Sequence, residues 1–260
     1  ISLAVGLVQM FLNNIRINNM PESQGHIYGK FESVKFNHRR DEFYDYVNHI
    51  KQKDIPFEDF LYNFTSYVGH MSLNRVLTLY ELYKKSQTVA GHVADVGVYK
   101  GASSFLFAKL IKIYESEALT LCHGFDWFQG QVVGEKDSKL TLDAGYKSNY
   151  DDILELVKMQ GMDNILKIHN LDLRVDTPRF FEENSHLRFK LVNMDCGKYD
   201  VVKASLPFFW ERLNKGGVMI FDQYSHEQAP GETAAIHECL PDIAIKTIPN
   251  SWTPTAYIVK

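Results

Sequence analysis

The run Ala94-Asp95-Val96-Gly97-Val98-Tyr99-Lys100-Gly101-Ala102-Ser103-Ser104 places an acid, two glycines and two hydroxyls within one short stretch. Glycine permits a tight backbone bend and the close approach of a ligand, and Ser103 or Ser104 is suited to capping a helix that follows. The spacing is neither GxGxxG nor GxxxxGK[ST], which weighs against dinucleotide and nucleoside triphosphate binding. An acid at Asp95, at the end of a strand, suits a cationic or hydroxyl-bearing ligand better than a pyrophosphate, and S-adenosylmethionine fits that description. A second chemical cluster is Phe125-Asp126-Trp127-Phe128. There the acid can accept hydrogen bonds from ribose hydroxyls while an aromatic ring covers an adenine. Tyr99 and Lys100 are further candidates for contact with cofactor or acceptor.

These residues need a scaffold that brings strand ends together. From His92 onward, short apolar runs alternate with helical stretches, the signature of a mostly parallel sheet covered on both faces. The expected strands are His92–Val98, Leu119–Phe125, Ile165–His169, Phe189–Met194 and Gly217–Phe221. The expected helices are Ser103–Tyr114, Asn149–Gln160, Val201–Leu213 and Glu232–Leu240. Val202, Leu206, Phe209 and Leu213 share one apolar face. Ile243–Ile248 and Ala256–Val259 are expected to close the sheet as a terminal antiparallel hairpin. In such a sheet the ligand sits beyond the carboxyl ends of the strands, at the switch point.

A boundary is expected near Gly91, separating a helical extension or cap (1–90) from the sheet domain (91–260). Within the extension, Leu73, Val76, Leu77, Tyr80 and Tyr83 recur at helical spacing and are assigned to one face. Residues 37–59 lack a clean period and are expected to form short helices with a mobile connection. Ile1–Leu12 falls short of the roughly 18 apolar residues of a membrane span; it reads as a helix packing on the body or on a second subunit. Residues 129–150 are expected to form a lid or acceptor loop.

The chain of 260 residues is 45% hydrophobic and 23% charged, which excludes disorder, collagen and coiled coil. A net charge of -4 gives no footprint for nucleic acid. Three scattered cysteines, Cys122, Cys196 and Cys239, fit a reducing compartment, so the cytoplasm is expected.

The strings GHVADVGVYKGASSFLFAKL (91–110), HGFDWFQG (123–130) and MDCGKYDVVKASLPFFWERLNKGGVMIFDQY (194–224) resemble the macrocin O-methyltransferase family of class I S-adenosylmethionine-dependent sugar methyltransferases. The resemblance spans roughly residues 62–260. It implies a Rossmann-like fold and a homo-oligomeric enzyme that methylates a sugar hydroxyl, with magnesium held by three acids. The family's metal acids fall on Asp195, Asp222 and position 223. Position 223 is Gln223 in place of a second consecutive Asp, and Gly197 replaces an acid of the family's Asp-Gly-Asp string. Asp195 is expected to contact the cofactor and activate the acceptor, as metal ligand or as general base; His226 is the second candidate base. The alternative is a catalytically inert protein that retains the cofactor pocket.

Overall fold

A computed structural model describes residues 37–138, 145–227 and 229–260. Among the described residues, four helices precede the sheet: α1 (Asn37–Lys51), α2 (Phe57–Tyr62), α3 (Phe64–Tyr67) and α4 (His70–Ser86). The sheet is built from β1 (His92–Val96), β2 (Cys122–Asp126), β3 (Leu166–Asn170), β4 (Phe189–Met194), β5 (Leu213–Phe221), β6 (Lys246–Thr247) and β7 (Ala256–Val259). Between the strands lie α5 (Ala102–Tyr114), α6 (Tyr150–Met159), α7 (Thr177–Glu183), α8 (Tyr199–Arg212) and α9 (Pro230–Cys239). The strand order is β3-β2-β1-β4-β5-β7-β6. The pairs from β3 to β5 are parallel, whereas β7 runs antiparallel to both β5 and β6. The expected Rossmann-like class I methyltransferase sheet with its terminal hairpin is therefore present, and the chain direction of the order reverses between β1 and β4.

Alternation along the strands builds two cores. Leu191, Val218 and Ile220 face the side covered by α4, α5 and α6, while Val192, Met219 and Phe221 face α8 and α9. Each strand is thus buried on both faces, as a parallel sheet sandwiched between helices requires. The predicted face Val202, Leu206, Phe209 and Leu213 is buried in the second core. Two polar residues inside the fully buried β4 have partners of their own: Lys190 pairs with Glu115, and Asn193 donates to Asp95 at 2.8 Å.

Several boundaries differ from expectation for local reasons. β1 ends at Val96 because Gly97 turns the chain at φ +104°. Gly101, at φ +86°, occupies the N-cap of α5, so neither Ser103 nor Ser104 caps it. Residues 37–51 form one 15-residue helix rather than short pieces. α7, with Pro178 in its first turn, was not anticipated. In α4 the face is rotated from the predicted one. Leu79, Leu82, Tyr83 and Ser86 are buried, whereas Val76 and Leu77 are exposed. The buried face starts one turn earlier at Arg75, which this rotation carries toward the sheet's carboxyl edge. The assignment of Ile1–Leu12 lies outside the described residues.

Candidate active site

The carboxyl ends of β1, β2, β4 and β5 open into a cavity of about 620 Å³. It sits at the order reversal between β1 and β4, where a doubly wound sheet leaves a crevice. Gly97, Tyr99 and Ser103 of the first turn, Asp126 and Trp127 after β2, and Asp195, Asp222 and Gln223 after β4 and β5 all line it. Asp95, Gly101, Ser104 and His226 do not.

Asp95 is fully buried and accepts hydrogen bonds from Ser103 Oγ (2.8 Å), Ser104 Oγ and Asn193 Nδ2 (2.8 Å). Burial raises its pKa, and the three donors oppose that rise. The acid therefore fastens the start of α5 to β1 and β4 from behind the wall, which corrects its expected place in contact with the ligand. Ser104, also fully buried, is spent on Asp95 in the same way. Gly97 is required sterically as well as conformationally. A Cβ there would overlap the backbone carbonyl of Asp195, so the glycine lets β1 and β4 release their ends side by side.

Asp126 ties the first two turns together. Tyr99 N–H donates to Oδ2 and Phe128 N–H to Oδ1, both at 2.8 Å. Tyr99 (φ +51°) and Phe128 (φ +61°) are non-glycine residues in the left-handed region, a conformation that costs on the order of 1–3 kcal/mol each. The carboxylate compensates by accepting both N–H groups. Burial raises its pKa, and these backbone donors lower it. Beside it, the Trp127 ring lies 4.6 Å from the Arg174 guanidinium, which Asp172 holds at 2.6 Å. Gln131, Val132 and Tyr146 add wall from the segment after β2. That segment is anchored by Ser148 Oγ, which donates to the Tyr99 carbonyl at 2.7 Å, and by Asp137, which accepts from Tyr199 N–H at 3.0 Å.

The two strand-end acids meet on a cation that sequence reasoning missed. Arg75 Nη2 lies 2.6 Å from Asp195 Oδ2, and Nη1 lies 2.5 Å from Asp222 Oδ1. Nη1 also donates to Thr253 Oγ1 at 3.2 Å. Burial works against the Arg75 charge, but Asp222 and Asp195 more than offset it and raise its pKa. Asp195 is itself raised well above the usual carboxylate range, by burial and then by the Asp222 charge, with Arg75 opposing. In sequence Arg75 carries no local mark of this role, since it lies off the apolar stripe of Leu73, Val76, Leu77, Tyr80 and Tyr83. His226 is buried beyond the turn after β5, where its backbone N–H donates to the Gln223 carbonyl at 3.0 Å. Burial lowers its pKa. Of the two expected bases, Asp195 is the one on the cavity wall.

The residues present do not fit the magnesium that the resemblance implies. Magnesium takes carboxylate and water oxygens at about 2.0–2.1 Å in a near-octahedral shell. Here both acids are already bridged by one guanidinium, and Gln223 contributes no charge. A dication there would have to displace the Arg75 guanidinium from both carboxylates, since the two cations would repel each other within one site. Among the described residues, no group of three or more His, Cys, Asp or Glu is placed to hold a metal ion.

The sequence pattern of a methyltransferase domain matches residues 94–224, half of the chain. Among solved structures, the chain is similar to the apo structure of CalS11, described as a TDP-rhamnose 3'-O-methyltransferase of calicheamicin biosynthesis. That match has 23% identity and a TM-score of 0.69, and covers 85% of this chain and 94% of that one. It is also similar to the O-methyltransferase NovP, with 17% identity and a TM-score of 0.62 over 72% of this chain and 80% of that one. At these identities the likeness is one of fold. No match is found among curated proteins. With the glycine turn, the strand-end acids and the order reversal all inside the matched segment, the chain belongs to the methyltransferase domain family.

Proposed function

We propose that the protein is an S-adenosylmethionine-dependent O-methyltransferase acting on a hydroxyl of a sugar or glycosylated small metabolite. The observation that carries this reading is the cavity at the β1/β4 reversal, with the glycine turn and Asp126 on one side and Asp195 on the other. The fold-level likeness to CalS11 and NovP, both described as O-methyltransferases, supports the choice of oxygen as acceptor. The sugar is proposed by extension from CalS11.

The bend from Gly97 to Gly101, Asp126 and Trp127 would hold S-adenosylmethionine, Asp126 accepting from its ribose hydroxyls and Trp127 covering its adenine, and the group would supply an electrophilic sulfonium methyl. The acceptor enters on the side of Met71, Ser72 and Trp252, which line the same cavity. With that group bound, the acceptor oxygen would displace the sulfonium sulfur in line, the C–O bond forming as the C–S bond breaks and sulfur keeping the electron pair as a neutral thioether. The hydroxyl proton passes to the Asp195 carboxylate, which lines the cavity and is held by Arg75. Alignment supplies much of the rate, since both reactants are held in one cavity. The same reading takes the enzyme as a cytoplasmic homo-oligomer. The free Cys122, Cys196 and Cys239 and the exposed Phe57, Leu61 and Tyr62 support those two points.

Isothermal titration with S-adenosylmethionine, followed by labelled-methyl transfer over a panel of nucleotide-linked and glycosylated acceptors, tests the proposal. Saturable cofactor binding and label on an acceptor oxygen are expected. Binding without transfer across the panel would favour the inert alternative, and tight NADH binding with no S-adenosylmethionine binding would overturn the reading altogether.

A further inference from the structure

We infer that Arg75 holds the post of a divalent cation in this enzyme, so that methyl transfer proceeds without a metal; the inference rests on the methyltransferase reading above. The guanidinium bridges Asp195 and Asp222 at 2.6 and 2.5 Å and is fixed a third time by Thr253 Oγ1. Its three partners come from the ends of β4 and β5 and from the chain entering β7, while Arg75 itself comes from α4. The cation is thus a built part of the site, held by three segments of the fold and presented by a fourth.

The departures from the family's acid pattern agree with this assignment. Gln223 and Gly197, the two positions where an acid is missing, touch each other. A Cβ on Gly197, which sits at φ +57°, would overlap Gln223 Oε1. The carboxamide therefore occupies the space that a side chain at 197 would need, and its own backbone N–H is held by Glu232 Oε1 at 3.1 Å. In this trio one guanidinium is shared by two carboxylates, so the positive charge that a paired acid cluster needs is already supplied by the chain itself. A guanidinium offers fixed, forked donors that suit two carboxylates at once, and it stays charged at every physiological pH. Arg75 keeps the Asp195 carboxylate oriented toward the cavity, where Asp195 receives the acceptor's proton. Arg75 is accordingly a positioning residue.

Manganese, a paramagnetic substitute for magnesium, gives a readout separate from turnover. The wild-type protein titrated with Mn2+ and followed by electron paramagnetic resonance is expected to show no bound ion, and its transfer rate is expected to change less than about twofold on adding EDTA. Arg75→Met removes the charge at similar length. It is expected to acquire a bound Mn2+ that is lost again when Asp195→Asn is added, and to transfer methyl at least tenfold more slowly than Arg75→Lys. The inference is overturned if the wild type binds one Mn2+ that Asp222→Asn abolishes, or if EDTA stops transfer and Mg2+ restores it. Should Arg75→Met fail to fold, the wild-type titration decides the question alone. Calorimetry with S-adenosylmethionine distinguishes a failure here from a failure of the methyltransferase reading, because the manganese titration does not depend on cofactor binding.

Discussion

At the scale of single residues, the site divides into groups that face the cavity and groups that hold them. Asp195 belongs to the first kind, Asp95 to the second, although both are acids at strand ends. Their burial separates them, since Asp95 is closed in by three donors while Asp195 keeps part of its side chain open to the cavity. Asp195→Asn preserves shape but removes the proton acceptor. Its turnover is expected to fall by about 10²- to 10⁴-fold, the usual range for losing a general base. Its affinity for S-adenosylmethionine, measured by calorimetry, should stay within about threefold of wild type. Turnover close to wild type would remove Asp195 from the chemistry. Glu115 and Lys190 make the opposite case of a pair with no view of the cavity. Lys190 is almost completely buried, and Glu115 also accepts from Tyr83. Glu115→Ala leaves that ammonium buried without its carboxylate, and a loss of about 3–5 kcal/mol of stability by urea unfolding is expected. A change below about 1 kcal/mol would mean that water reaches Lys190.

Among the elements, the turn between β1 and α5 concentrates the most constraint. Gly97→Ala combines a positive φ with overlap against the Asp195 carbonyl, so the two strand ends can no longer lie side by side. A stability loss of at least ~2 kcal/mol is expected, together with loss of cofactor binding by calorimetry; a variant that binds normally would show that the turn is freer than its backbone implies. This turn was legible in sequence because glycine is the residue type that such a bend demands. The same holds for β4 and for the face of α8, where apolar residues recur at the spacing the element imposes. What escaped was α4. Leu73, Val76, Leu77 and Tyr80 look like a buried stripe, yet the sheet selects the stripe beginning at Arg75. A helix with apolar residues on two faces carries no local record of which face the remainder of the chain will cover. Arg75 could not be found for the same reason, as its partners lie 120 and 147 residues away. Residue type alone does not say which side of a turn faces the ligand, so nothing in the sequence separates Ser103 on the cavity wall from Asp95 and Ser104 behind it.

At the scale of the whole molecule, the sheet carries a file of histidines across three neighbouring strands: His92 on β1, His123 on β2 and His169 on β3. His123 and His169 stack with their rings 5.3 Å apart, and His123 Nδ1 lies 3.0 Å from His169 Nε2, so one ring must donate and the other accept. His92 Nδ1 accepts from the Leu121 N–H at 3.0 Å, which holds that nitrogen unprotonated. Burial, and then mutual repulsion with further help from His92, His186 and Lys167, pushes His123 down to about 3. Burial and Lys167 push His169 down to about 4. Both rings are neutral in the folded state at pH values where the unfolded chain, with an ordinary histidine pKa near 6.5, takes up protons. Between about pH 6.5 and 4 the unfolded state therefore binds more protons than the native one at these two histidines, and their contribution to stability falls as pH falls, by up to ~1.4 kcal/mol per pH unit for each. Urea midpoints measured from pH 8 to pH 4 should accordingly contain a histidine contribution that is flat above about 7 and declines below about 6.5, set against the opposite contribution of Asp195 and Glu232, whose raised proton affinities favour the native state as pH falls. Replacing both histidines with glutamine, which is uncharged throughout, should reduce that decline below pH 6.5. If the doubly substituted protein loses stability as steeply as the wild type, the acid sensitivity comes from carboxylates elsewhere and the histidine file has no part in it.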